Sequence, residues 1–188
     1  FDGTAYLIFQ PGEEGYAGAK AMIGDGLFER FPAEQVYALH NWPGLPPGRI
    51  GITPGPAKAA ADRIEITIDG KGGHGAHPHA AIDPVLVAGH IITAVQSIVS
   101  RNVSPIDTAV VSICAMQAGN PGAMSVIPAH AKLVGTVRTF KPTVQATVEQ
   151  RLKDLVGSIG AAFGAQATVH YERIYPATIN HERETAFA

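Results

Sequence analysis

Apolar positions along the chain fall into two regimes. In residues 1–56 they come as short continuous runs, Ala5 to Phe9 and Val36 to Leu39, each of which predicts a strand buried on both faces. Between them Ala17, Ala21 and Met22 carry helical spacing over Glu13 to Gly26, with Gly26 as the stop. Strand, helix, strand predicts a piece of an α/β domain with a parallel sheet. Beyond residue 56 the pattern changes. Arg63 to Ile68 alternates with period two, as a half-exposed strand does. Asp83 and Pro84 form an N-cap and first-turn pair, followed at three- and four-residue intervals by Val85, Ala88, Ile92, Val95 and Val99, with an end expected near Asn102.

Thr108 to Cys114 and Lys132 to Thr139 predict two further strands, separated by the loop Gly119 to Gly122. Pro142 opens a second long helix with Val144, Val148, Leu152, Leu155, Ile159 and Ala162 on one face, and Ala167 to Tyr171 predicts a closing strand. The order β-α-β-β-α-β is that of a ferredoxin-like unit, two helices on one face of a four-stranded antiparallel sheet. Pro43, Pro46, Pro47, Pro54 and Pro56 crowd the stretch between the regimes and mark a boundary. The expected division is a partial catalytic α/β domain over 1–56, a ferredoxin-like unit over 57–173, and a return segment over 174–188. The chain begins at Phe1 without Met, directly before an apolar run, so it is expected to be a piece of a longer protein.

Composition narrows the function. The 188 residues carry a formal net charge of −2, with 14 Lys and Arg against 16 Asp and Glu, and no basic run tracks a phosphate backbone. Nucleic acid is not an expected partner. No uninterrupted apolar run reaches the roughly 20 residues of a membrane helix and no basic-then-apolar leader opens the chain, so no membrane partner is expected and the cytoplasm is the expected location. Cys114, the single cysteine, lies in an apolar run and is expected to be a buried core thiol.

Three clusters carry candidate chemistry. Pro11 to Glu14 and His40 lie just past the carboxyl ends of the two expected parallel strands, the edge at which open α/β sheets bind ligands. Glu13 and Glu14 then divide labour, one carboxylate holding a metal and the other activating its water. Read more plainly, two glutamates at a helix start favour the helix dipole and need no further role. Gly70 to His79 holds His74, His77 and His79 among glycines, with Pro78 excluding a helix; this suits a loop close to substrate, and equally a surface turn. Arg138 is a charge inside an apolar strand, suited to clamping a carboxylate or to facing solvent.

Gln10 to Gly15, Leu39 to Gly44, Gly70 to His74, Ile127-Pro128 and Gly135 to Thr139 occur in the order seen in the M20 metallopeptidase family. The chain resembles in particular its aminoacylase, hippurate hydrolase and auxin-conjugate hydrolase branch. That resemblance implies hydrolysis of the amide of N-acyl amino acids, with two divalent ions such as zinc, manganese, cobalt or nickel. It implies Glu13 as general base, Glu14 and His40 as metal ligands, and His74 as the lid histidine that steadies the oxyanion, in some relatives across a dimer interface. Arg138, Asn41 and Ser125 are the positions implied to touch substrate, and a homodimer through the lid is implied. A carboxypeptidase or desuccinylase remains open within the family. Two departures stand out. The family's upstream Cys and His ligand segment and its downstream His have no counterpart, so the site is incomplete and the chain alone is expected to be a non-catalytic lid and dimerisation module. Ser125 also stands where many relatives carry Asn.

Overall fold

A computed structural model of the chain describes residues 2–188, which separate into two compact units, one of residues 2–55 with Asn180–Ala188 and one of Pro56–Ile179. The chain runs through short helices α1 (Gly18–Gly24) and α2 (Leu27–Arg30), then strands β1 (Gly55–Lys58), β2 (Ala60–Asp69) and β3 (Gly73–His74). Helices α3 (Pro84–Ala94) and α4 (Gln96–Asn102) follow almost without a break, then β4 (Ala109–Ala118), β5 (Val126–Ile127) and β6 (His130–Thr139). Helix α5 (Pro142–Ala162), strands β7 (Gln166–Tyr175) and β8 (Thr178–Asn180) and helix α6 (Glu182–Phe187) complete it.

The larger unit is built on a four-stranded sheet of order β4-β6-β2-β7, with every neighbouring pair antiparallel. Strand β2 alternates as its sequence requires: Ile64, Ile66 and Ile68 are fully buried, and Arg63 and Thr67 face water. Leu133 and Val137 of β6 join them, and α3 to α5 cover that face through Val87, Ala88, Ile91, Val95, Ile98, Val148, Leu152 and Val156. The buried stripe of α3 is rotated from the spacing read in the sequence, so Val85 is exposed and Val87 and Ile91 are inside. Asp83 caps α3, its Oδ1 accepting from the Val85 and Leu86 amides at 2.8 and 3.4 Å. The stretch Pro84–Asn102 is long and apolar enough by length and composition to cross a membrane, and a third of its most apolar window is buried within the protein, against the sheet.

One polar group is held inside this core. Asp62 is 1% exposed, and its carboxylate accepts from Gln145 Nε2 at 2.9 and 2.8 Å and from the Tyr171 hydroxyl at 2.5 Å. It ties β2 to α5 and β7. Gly135 answers a second constraint. A Cβ there would lie 2.2 Å from the Ser112 carbonyl oxygen, so only glycine lets β6 pass β4 where the register shifts between Ile113 and Ala115. That shift also corrects the reading of Cys114: the bulge leaves it out of the paired register on an edge strand, and the thiol is exposed.

Among the described residues the parallel sheet expected in residues 1–56 is not formed, and the sheets whose strand directions are described are antiparallel. Residues 5–9 and 36–39 form no strand, and Leu7, Phe9 and Leu39 are 83%, 84% and 86% exposed. A buried parallel strand needs hydrogen-bonded neighbours and helices over both faces, and the described residues supply neither to these runs. The helix expected over Glu13 to Gly26 is reduced to α1, because residues 11–16 spend their backbone on turns: the Gly15 amide bonds Glu13 C=O at 3.0 Å and the Tyr16 amide bonds Gly12 C=O at 3.2 Å. The smaller unit is held by scattered contacts, among them Tyr6 edge-on to Phe31, Tyr37 beside Phe187, and Asn180 Nδ2 donating to Thr53 C=O at 2.8 Å.

Replacing Asp62 with Ala strands the Gln145 amide and Tyr171 hydroxyl, and should cost about 2 to 4 kcal/mol in urea unfolding. Burial first, and then the Asp62 acceptor, push the Tyr171 hydroxyl above its ordinary range. A raised value means the folded chain holds this proton more tightly than the unfolded chain. Its contribution is intact below the unfolded tyrosine value of about 10 and is lost as pH rises beyond it. Tyr171→Phe should therefore show a shallower fall of the urea midpoint between about pH 10 and 12 than the unsubstituted chain.

Candidate functional site

His74 and Ser125 meet on two linked turns. β3 pairs antiparallel with β5, with His74 opposite Val126, and the Gly75 amide donates to Ser125 C=O at 2.7 Å. The first turn is closed by the His77 amide on His74 C=O at 2.8 Å, the second by the Val126 amide on Ala123 C=O at 3.0 Å. The Ala76 amide donates to His74 Nδ1 at 3.1 Å. An amide is an obligate donor, so Nδ1 is the acceptor and the neutral ring carries its proton on Nε2. An exposed imidazole presenting Nε2–H is suited to stabilising a developing oxyanion. His77 lies next along, its ring centroid 5.7 Å from that of His74, and His79 follows 5.9 Å from His77.

Arg138 sits elsewhere. It is half-buried near the opposite end of β6, paired with Ala61 and Val110, on the sheet face turned away from the helices. Nη1 donates to Thr136 Oγ1 and to Val137 C=O, the latter at 3.1 Å, which fixes the guanidinium and leaves its Nε–Nη2 edge suited to a carboxylate. His130, at the His74 end of β6, lies about 26 Å from Arg138 along the strand at roughly 3.3 Å per residue. The structure therefore brings His74 and Ser125 together and sets Arg138 far from both.

In the smaller unit Glu13 and Glu14 lie in the turns of residues 11–16, and His40 and Asn41 in an irregular stretch, all exposed. The His40 ring is engaged locally, Nδ1 lying 2.6 Å from Asn41 C=O, with Trp42 edge-on at 6.2 Å. The strand tips that were expected to gather Glu13, Glu14 and His40 are not formed.

The comparisons with known proteins bear on this arrangement. The model of peptidase family M20/M25/M40 matches residues 1–188. The chain belongs to the M20 peptidase family. It is 43% identical over 178 residues to an N-acetylcysteine deacetylase of Bacillus subtilis, covering 95% of this chain and 46% of that protein. It is 38% identical over 188 residues to a hippurate hydrolase of Campylobacter jejuni, covering all of this chain and 49% of that one. Among solved structures, a putative aminohydrolase from methicillin-resistant Staphylococcus aureus superposes with a TM-score of 0.82 at 31% identity, over 95% of this chain and 45% of the other. A Bacillus subtilis protein described as a dinuclear metal binding peptidase of the M20 family superposes with a TM-score of 0.69 at 35% identity, over 95% and 43%. The M20 chain thus spans about half the length of the curated relatives it matches.

A metal centre normally needs three protein ligands or more. Among the described residues no group of three or more His, Cys, Asp or Glu side chains is placed to hold an ion. The residues present in this M20 chain do not by themselves make such a centre.

Sequence reasoning missed the Ala76 amide, because a backbone donor two residues beyond a histidine has no side-chain signature; the glycine-rich turn Gly73 to Gly75 was the only hint. It also missed Met124, at 97% exposure the apolar neighbour of Ser125. Long-range proton–nitrogen NMR correlation of the chain at neutral pH should find His74 in the Nε2–H form; a dominant Nδ1–H form would remove the case for its orientation.

Proposed function

We propose that the chain supplies the lid and dimerisation module, with part of the catalytic domain, of a longer amidohydrolase that cleaves the amide of N-acyl amino acids, and that the 188 residues alone are not a catalyst. The observation that carries this is the register, which puts Arg138 near one end of β6 and the His74 turn beyond the other. One copy cannot offer both to a single small substrate. Two copies related by a twofold axis can, with the His74 turn of each completing the site that Arg138 serves in the other.

The open edge of β4 suits such pairing, since it presents unpaired backbone groups and exposed Val110 and Met116. In this reading the Arg138 guanidinium binds the carboxylate of the amino acid and orients the amide, as a planar fork does best. His74 Nε2–H donates to the carbonyl oxygen as it gains charge. Glu13 takes the proton of the attacking water and passes it to the leaving amine. Glu14 and His40 are the metal ligands of the same proposal, completed by residues of the longer protein, and the divalent ions would supply an acidified water. Asn41 and Ser125 are its further substrate contacts. The names of the relatives, deacetylases and a hippurate hydrolase, support an acylated amino acid as the substrate class.

Three measurements test this. The 188-residue chain supplied with zinc, manganese or cobalt should not hydrolyse hippurate, and turnover near that of a full-length relative would overturn the assignment. In the longer enzyme, His74→Ala should lower kcat by roughly 10² to 10³ with little change in KM. Mixing inactive His74→Ala and Arg138→Ala proteins should restore activity to about a quarter of the sites, since half of randomly formed dimers hold one intact site. No recovery on mixing would overturn the shared site.

A further inference from the structure

We propose that Met124 is a specificity residue that contacts the acyl group of the substrate, an inference that rests on the amidohydrolase reading above. Met124 occupies the first corner of the turn Ala123 to Val126 and Ser125 the second, the turn being closed by the 3.0 Å bond from the Val126 amide to Ala123 C=O. The Met124 side chain is 97% exposed. The backbone beneath it is nonetheless tied down on three sides. The Ala123 amide bonds Asn120 C=O at 2.9 Å, the Gly122 amide bonds Asn120 Oδ1 at 2.9 Å, and Ser125 C=O takes the Gly75 amide at 2.7 Å. An ordered turn therefore holds a large apolar side chain out into solvent, where it adds nothing to the core.

Place decides what that side chain meets. The Gly75 to Ser125 bond sets the turn directly beside His74, whose Nε2–H serves the carbonyl oxygen of the scissile amide. That carbonyl belongs to the acyl half of the substrate. Arg138, suited to the carboxylate of the amino acid half, comes from the far end of the sheet and from the other copy. Met124 thus approaches from the acyl side. A thioether on three rotatable bonds is a polarizable surface that adapts to apolar groups of different shape, aromatic rings included. The chemical class favoured is an aryl or long alkyl acyl group over acetyl.

The test compares kcat/KM for benzoylglycine and acetylglycine in the longer enzyme carrying this chain, supplied with divalent metal, and in its Met124→Ser and Met124→Leu variants. The benzoyl-to-acetyl ratio should fall about tenfold in Met124→Ser and return most of the way in Met124→Leu, which keeps the apolar area. Turnover by the unsubstituted enzyme with the same ratio in all three proteins would overturn the role of Met124 and leave the functional reading standing. No hydrolysis of either substrate by the unsubstituted enzyme would overturn both.

Discussion

The double pairing of β2 is the constraint on which the rest depends. This strand is hydrogen-bonded along its length to β6 on one side and β7 on the other. Its isoleucines fill the space beneath the helices, so a slip of one residue against either neighbour would turn Ile64, Ile66 and Ile68 to water and Arg63, Glu65 and Thr67 into the core. The register is thereby fixed, and with it the ends of the sheet at which His74 and Arg138 stand. Asp62 reinforces the same choice. A buried carboxylate is tolerated only with its partners in place, and Gln145 and Tyr171 meet it in one alignment alone.

Legibility followed the source of the stabilisation. Where a segment buries one face against the same chain, the sequence carried the answer: Arg63 to Ile68 lies within β2, Lys132 to Thr139 within β6, and the helix opened by Pro142 runs through Ala162. Helix faces were legible to within a rotation, since Val85 and Val87 are equally apolar and only contact with the sheet decides between them. The runs Ala5 to Phe9 and Val36 to Leu39 misled because a continuous apolar run says that a strand wants neighbours on every side, and says nothing of whether they are present. The parallel sheet inferred from them fails for that reason. Cys114 misled differently, since a bulge on an edge strand leaves no mark in hydrophobicity.

The candidate site was legible as residue types and illegible as geometry. His74 and Ser125 stand far apart in the sequence, and their meeting depends on two turns joined by one amide bond. The M20 family membership explains why such residues occur in this order, while the fold explains why Arg138 stands apart from the His74 turn within one copy. A small sheet offers few ways to put two polar groups on a ligand a few ångströms long when they stand toward its opposite ends.

The smaller unit carries a different consequence. Its run from Tyr6 to Phe9 lies in no strand and keeps exposed apolar side chains in water. That combination is a template for any passing strand, its own copy included. On its own the chain should be sticky through this end, with solubility governed by whatever shields these few residues.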